Sequence, residues 1–266
     1  MSRFDRVEAD GGSILLSKRM MEIGYGCLQP FARLLIRFRI TPNQISWAAF
    51  ILGGISGVAV ATGNFGIGAV IASVSAALDA VDGMVARMTG ASSSLGEILD
   101  AVLDRYVDFF LLGGMAFAFR SNPVLLVLCL FALSGGFMMS YSTAKAEAFG
   151  DSSRGFAPVK VPRGIMRRPE RMVYLILGCA LTLHERVEST LSQPLFYVLL
   201  GVAVLSHFSA FQRISFLARS ISQSEVGGQR NHGSNHTGQL PRYSKKTEAY
   251  ESLVSRDQQR HISYDR

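Results

Sequence analysis

The chain has 266 residues, 48% of them hydrophobic, yet its mean hydropathy is only +0.25, because two polar ends dilute a strongly apolar middle. Apolar stretches long enough to cross a bilayer exclude a simple soluble globule. Lysine and arginine exceed aspartate and glutamate by 27 to 20, for a net charge of +7 and a pI near 9.6. That excess sorts by loop between apolar runs, which argues against the nucleic-acid partner a basic soluble protein would suggest.

Residues 1–25 are polar, and "MSRFDRVEADGG" lacks a compact apolar core, so no cleavable signal peptide is expected and the first span does the targeting. "CLQPFARLLIRFRI" (27–40) mixes apolar and basic residues at near-helical spacing. That is the pattern of an interfacial helix on anionic headgroups; the alternative is the basic flank of a first span. "ITPNQIS" breaks the helix near Pro42 and restarts it. Apolar runs at 45–62, 64–78 continuing toward 88, 105–121, 123–143, 171–184 and 194–217 predict six transmembrane helices in an all-α integral membrane protein. Gly53, Gly54, Gly57, Gly113, Gly114, Gly135 and Gly136 suit close helix packing in lipid.

Lys18, Arg19, Arg33, Arg37 and Arg39 precede the first span, and Arg213 and Arg219 follow the last. Lys145, Arg154, Lys160, Arg163, Arg167, Arg168 and Arg171 fill the loop after the fourth. The connections "ATGN", "RSNP" and "HERVESTLSQ" hold few basic residues. The positive-inside rule therefore predicts a multi-pass protein of the cell membrane with both termini in the cytoplasm. The expected domains are a cytoplasmic N-terminal segment with its interfacial helix (1–40), a six-helix membrane domain (41–219) and a disordered cytoplasmic tail (220–266). His232 and His236 in that tail read as solvated side chains. Cys27, Cys129 and Cys179 have no metal-ligand spacing and read as buried small hydrophobes.

The chemistry concentrates in "DAVDGMVARMTGASSSLGEILDAVLD" (79–104). Asp79 and Asp82 share a helix face, with Ala86 a turn further and Gly83 leaving the backbone approachable. After a polar turn, Gly96, Asp100 and Asp104 recur every four residues on one face of a new helix. Four carboxylates in a weakly hydrated site repel one another unless a cation compensates. Oxygen-only ligands favour Mg²⁺ or Mn²⁺, and two ions could share the four groups. Such ions could grip a diphosphate, with Arg87 adding a charge-assisted contact. The alternative is a set of intramembrane carboxylates that pair with arginines or line a cation pathway in a carrier.

These residues resemble the signature of the CDP-alcohol phosphatidyltransferase family, D-x2-D-G-x2-A-R-x8-G-x3-D-x3-D. Its fixed positions are met by Asp79, Asp82, Gly83, Ala86, Arg87, Gly96, Asp100 and Asp104. The resemblance implies that the aspartates hold two divalent ions against the diphosphate of a CDP-linked lipid donor and that Asp104 is also the general base on the acceptor hydroxyl. It further implies that Gly83 lets the cytidine nucleotide approach, that Arg87 and Ser93 contact it, and that Pro42 and Asn43 close the pocket. Pro42 and Asn43 otherwise read as an ordinary helix start.

The basic loop bears on the acceptor. Lys145, Arg163, Arg168 and Arg171 could bind an acceptor phosphate, although topology and anionic lipid heads also call for basic residues there. "SYSTAKAE" (140–147) and "GIMRRPER" (164–171) resemble segments of the phosphatidylinositol phosphate and archaetidylinositol phosphate synthases, which adds Ser140 to the expected acceptor site. The expected acceptor is thus inositol phosphate, a phosphorylated polyol. Glycerol phosphate, serine or an amino alcohol is the alternative within the same chemistry. Thr143 departs from that branch, where bacterial members often carry lysine, and Asp108 has no role the sequence assigns. The resemblance also allows a homodimer.

Overall fold

The computed structural model describes residues 18–152, 165–182 and 194–232, and among them it is all-helical. In chain order the helices are α1 (Lys18–Arg37), α2 (Pro42–Ala61), α3 (Phe65–Thr89), α4 (Ser94–Ala118), α5 (Pro123–Ser152), α6 (Arg168–Leu181) and α7 (Pro194–His232). The chain divides into two compact units, Met1–Ser220 and Ile221–Arg266, and the whole signature belongs to the first.

The turns that place the signature are set locally. Arg39 passes through the left-handed region at φ 58° after α1 ends. Thr41 then caps α2: its Oγ1 accepts from Gln44 N at 3.4 Å, while Gln44 Oε1 accepts from Thr41 N at 2.9 Å. This reciprocal box, with proline at the start where a missing N–H costs nothing, fixes the first turn that carries Asn43. Between α3 and α4, Gly90 takes a left-handed C-cap at φ 67°. Ser93 Oγ accepts from Gly96 N at 3.1 Å and starts α4. The two aspartate-bearing helices are thereby joined as a hairpin.

Helix α2 packs against α4 through main chain. A Cβ on Gly57 would meet the Phe110 carbonyl carbon at 2.7 Å, and one on Gly114 would meet the Gly57 carbonyl carbon at 3.0 Å. Only glycine permits so close an approach, as in other membrane helix pairs. The larger core joins α2, α4, α5, α6 and α7 through Val60, Leu111, Met115, Cys129, Leu175 and Leu199. A smaller core of Ala32, Ile45, Val81, Met84 and Val85 seats α1 and the start of α2 on the signature half of α3.

Among the described residues four helical segments are long and apolar enough to cross a membrane: Pro42–Ala61, Phe65–Thr89, Pro123–Lys145 and Pro194–Arg219. Their outward faces expose Ile51, Ile55, Val58, Val70, Val74, Val127, Phe131, Val204 and Phe208. An apolar surface of that extent is unusual for a soluble monomer and fits contact with lipid. The other two expected spans correspond to helices that differ in physical character. Helix α4 carries Glu97, Asp100, Asp104 and Arg105 in its first half and Asp108 just beyond it, and α6 has only 14 residues.

Helix α7 runs to His232, past the boundary expected at 219, while residues 233–266 of the expected tail and the start of the chain at 1–17 lie outside the described residues. One expectation is corrected: Cys129 and Cys179 are buried, but Cys27 is exposed, because it lies on the face of α1 turned away from the smaller core.

Candidate active site

The hairpin brings carboxylates from two helices together. Asp79 on α3 and Asp100 and Asp104 on α4 each offer an oxygen, and these lie within 4.8 Å of one another. Asp82 is not part of that group. It is buried, and its Oδ2 accepts from Ser46 Oγ on α2 at 2.6 Å. Three signature aspartates thus converge, and the fourth is tied to the helix that carries Pro42 and Asn43.

A cation already meets this cluster. Arg168 Nη1 lies 2.7 Å from Asp79 Oδ2 and 2.6 Å from Asp104 Oδ1. The arginine is aimed from behind: buried Met166 donates its N–H to Ser209 Oγ at 3.0 Å, and Arg167 N donates to buried Glu170 Oε2 at 2.7 Å. With its N-terminal turn fastened to α7, helix α6 presents Arg168 to the aspartates. The oxygens and their need for positive charge fit a hard divalent ion, and among the described residues no His or Cys joins the group.

The remaining expected site residues are placed as follows. Pro42 and Asn43 form the first turn of α2, and Asn43 Oδ1 would be 3.5 Å from a Cβ on Gly96, so this turn does border the start of α4. Arg87 folds back over Gly83, where a Cβ would meet its Nη1 at 3.2 Å. Ala86 accepts from Ala91 N at 3.0 Å in the hairpin turn, and Ser93 is exposed as the cap of α4. Ser140 Oγ donates to Gly136 O at 3.1 Å. Lys145 is exposed, its Nζ 5.6 Å from the Tyr141 ring centroid. Arg163 lies outside the described residues.

Arg171 departs from expectation. Instead of facing an acceptor it is 2% exposed, its Nη2 donates to Asp108 Oδ2, and Gly136 makes room for its guanidinium, where a Cβ would meet Nη1 at 2.8 Å. The reason is the unassigned Asp108, itself 3% exposed, which also has Arg105 Nη1 at 3.4 Å and Arg168 Nε at 3.9 Å. Asp108 extends the four-residue ladder of Gly96, Asp100 and Asp104 by one more turn, and that spacing was the signal for it. Ser46 had a fainter one, as a polar side chain one turn past Pro42 in an apolar helix. Arg213 had none: its Nη1 donates to Thr143 Oγ1 from α7, so a cation adjoins the position that departs from the branch pattern.

Comparison with known proteins identifies the family and the fold. The family profile described as CDP-alcohol phosphatidyltransferase matches residues 39–208. The phosphatidylinositol phosphate synthase of Streptomyces avermitilis is 29% identical over 233 residues, covering 85% of this chain and 92% of its own. The archaetidylinositol phosphate synthase of Pyrococcus horikoshii is 31% identical over 151 residues, 57% of this chain and 75% of its own. In structure, the Mycobacterium tuberculosis phosphatidylinositol phosphate synthase with CDP-DAG bound superposes with a TM-score of 0.61 at 25% identity, over 71% of this chain and 92% of that one. The same protein in complex with manganese and citrate gives 0.61 at 24% identity, over 71% and 88%. A profile match that begins just ahead of α2 and takes in the entire aspartate hairpin leaves one assignment: the chain belongs to the CDP-alcohol phosphatidyltransferase family, and it is an enzyme.

Proposed function

We propose that this enzyme transfers a phosphatidyl-type group from a CDP-linked lipid to inositol phosphate, releasing CMP, in phospholipid biosynthesis. The observation that carries the reading is that Arg168 pairs with Asp79 and Asp104 of the Asp79, Asp100 and Asp104 cluster, which joins the signature to the basic loop expected to serve a phosphorylated acceptor. Bacterial and archaeal relatives named for inositol phosphate products support the acceptor, and the relative crystallised with CDP-DAG supports the donor.

Asp79, Asp82, Asp100 and Asp104 would hold Mg²⁺ or Mn²⁺, as two ions. When bound, these supply neutralising charge to the attacking and leaving oxygens of the displacement. Asp104 would take the proton of the acceptor hydroxyl; the hydroxyl oxygen forms the new bond to the lipid-side phosphorus, and the bond from that phosphorus to CMP breaks, releasing CMP. Gly83, Ala86 and Gly96 keep side chains out of the nucleotide's way, while Pro42, Asn43, Arg87 and Ser93 line it. Ser140, Lys145, Arg163 and Arg168 receive the acceptor phosphate, and Arg171 supports them from the interior. Positioning and fixed charge then supply most of the acceleration.

In this reading α4 and α6 complete six spans in a membrane domain over 41–219, with the active site and both termini cytoplasmic. The basic residues around α1 and between α5 and α6 support that orientation. The test is CMP release by the purified protein in detergent with CDP-diacylglycerol and Mg²⁺, with and without inositol 1-phosphate. Release should require inositol phosphate, stop with EDTA, return with Mg²⁺ or Mn²⁺, and fall about 10²- to 10⁴-fold in Asp104→Asn, the usual range for a lost general base. Release only with another alcohol would refute the acceptor and leave the chemistry.

A further inference from the structure

Arg168 is shared between two sets of carboxylates. Its Nη1 holds Asp79 Oδ2 and Asp104 Oδ1 at 2.7 and 2.6 Å, while its Nε lies 3.9 Å from Asp108 Oδ1. Both Arg168 Nε and Asp108 Oδ1 are buried without a hydrogen-bond partner. A buried charged donor and a buried charged acceptor left unmade are costly, and these two face each other about 1 Å beyond bonding distance. Asp108 itself is anchored, since Arg171 and Arg105 both engage its Oδ2. The arginine is the partner free to close the gap, on a flexible side chain.

An ion bound by Asp79 and Asp104 would draw on the same two carboxylates that Arg168 now holds. We infer that Arg168 is an exchangeable counter-cation of the metal site and that Asp108 is its second seat. A divalent ion takes the Asp79 and Asp104 oxygens; the guanidinium moves onto Asp108 Oδ1 and stays beside the site with its Nη groups released for an incoming phosphate. Asp108 is then a positioning residue, and metal loading and acceptor readiness are one event. This rests on the metal reading above.

The test is Mn²⁺ titration of the purified full chain, with free ion read by electron paramagnetic resonance. Arg168→Gln should tighten Mn²⁺ binding by about tenfold or more, the scale of one charge-assisted contact. Arg168→Lys keeps the charge but cannot fork across two carboxylates, so it too should tighten binding, by less. Asp108→Asn should weaken Mn²⁺ binding in the wild-type background and leave it unchanged in Arg168→Gln. Wild-type affinity in Arg168→Lys would overturn the exchange and leave only through-space repulsion, as would equal weakening by Asp108→Asn in both backgrounds. Should Asp108→Asn fail to fold, the two Arg168 variants decide alone. Absence of Mn²⁺ binding in wild type and all variants would instead remove the metal reading.

Discussion

Arg171→Met separates a structural arginine from a substrate-binding one. Methionine keeps much of the length and volume, so packing beside Gly136 is largely retained while the charge is lost. Asp108 would keep only Arg105 at 3.4 Å and Arg168 at 3.9 Å around a carboxylate that is 3% exposed. Breaking a buried pair typically costs about 3–5 kcal/mol; because Arg105 and Arg168 compensate in part, the lower end, about 3 kcal/mol, applies here. At about 2–4 °C per kcal/mol for a domain of this size, Tm should fall by roughly 6–12 °C. The assay is thermal unfolding in detergent followed by intrinsic fluorescence. Replacing both partners, Arg171→Met with Asp108→Leu, removes the orphaned charge and should recover more than half of the loss. An unchanged Tm with a strongly raised inositol phosphate KM would refute the reasoning and put Arg171 on the acceptor.

Gly57→Leu drives a side chain into the main chain of α4 and should cost well over the about 1–3 kcal/mol of ordinary overpacking, seen as loss of folded protein on size exclusion. Gly113→Leu, close only to the edge of Phe109, is the matched control and should fold. Ser46→Ala removes the donor to buried Asp82, a bond to a charged group worth about 1.5–3 kcal/mol. It should lower Mg²⁺ affinity or kcat about tenfold at nearly unchanged fold; wild-type kinetics across a Mg²⁺ titration would show that Asp82 needs no such support.

The hairpin was legible because its parts are local: helix spacing sets which aspartates share a face, and Gly90 and Ser93 set the turn. The main-chain contact of Gly57 with Gly114 was legible only as a glycine-rich pair of helices, since spacing in one helix says nothing about which partner it meets. The division of labour among the basic residues was hidden for the same reason. Arg168 and Arg171 are three residues apart in one helical turn, yet one reaches the metal-site carboxylates and the other is buried against Asp108. A few tens of degrees around α6 decide that, and they depend on Met166, which is held by Ser209 of α7, an element distant in sequence.

The hydrogen bond from Met166 N to Ser209 Oγ ties the turn that carries Arg168 to α7, and Glu170 holds the same turn from within α6. A change at Ser209 is therefore passed to the guanidinium through the backbone that precedes Arg168. In engineering terms Ser209 is a remote handle on the active site, reached without touching any of the signature carboxylates.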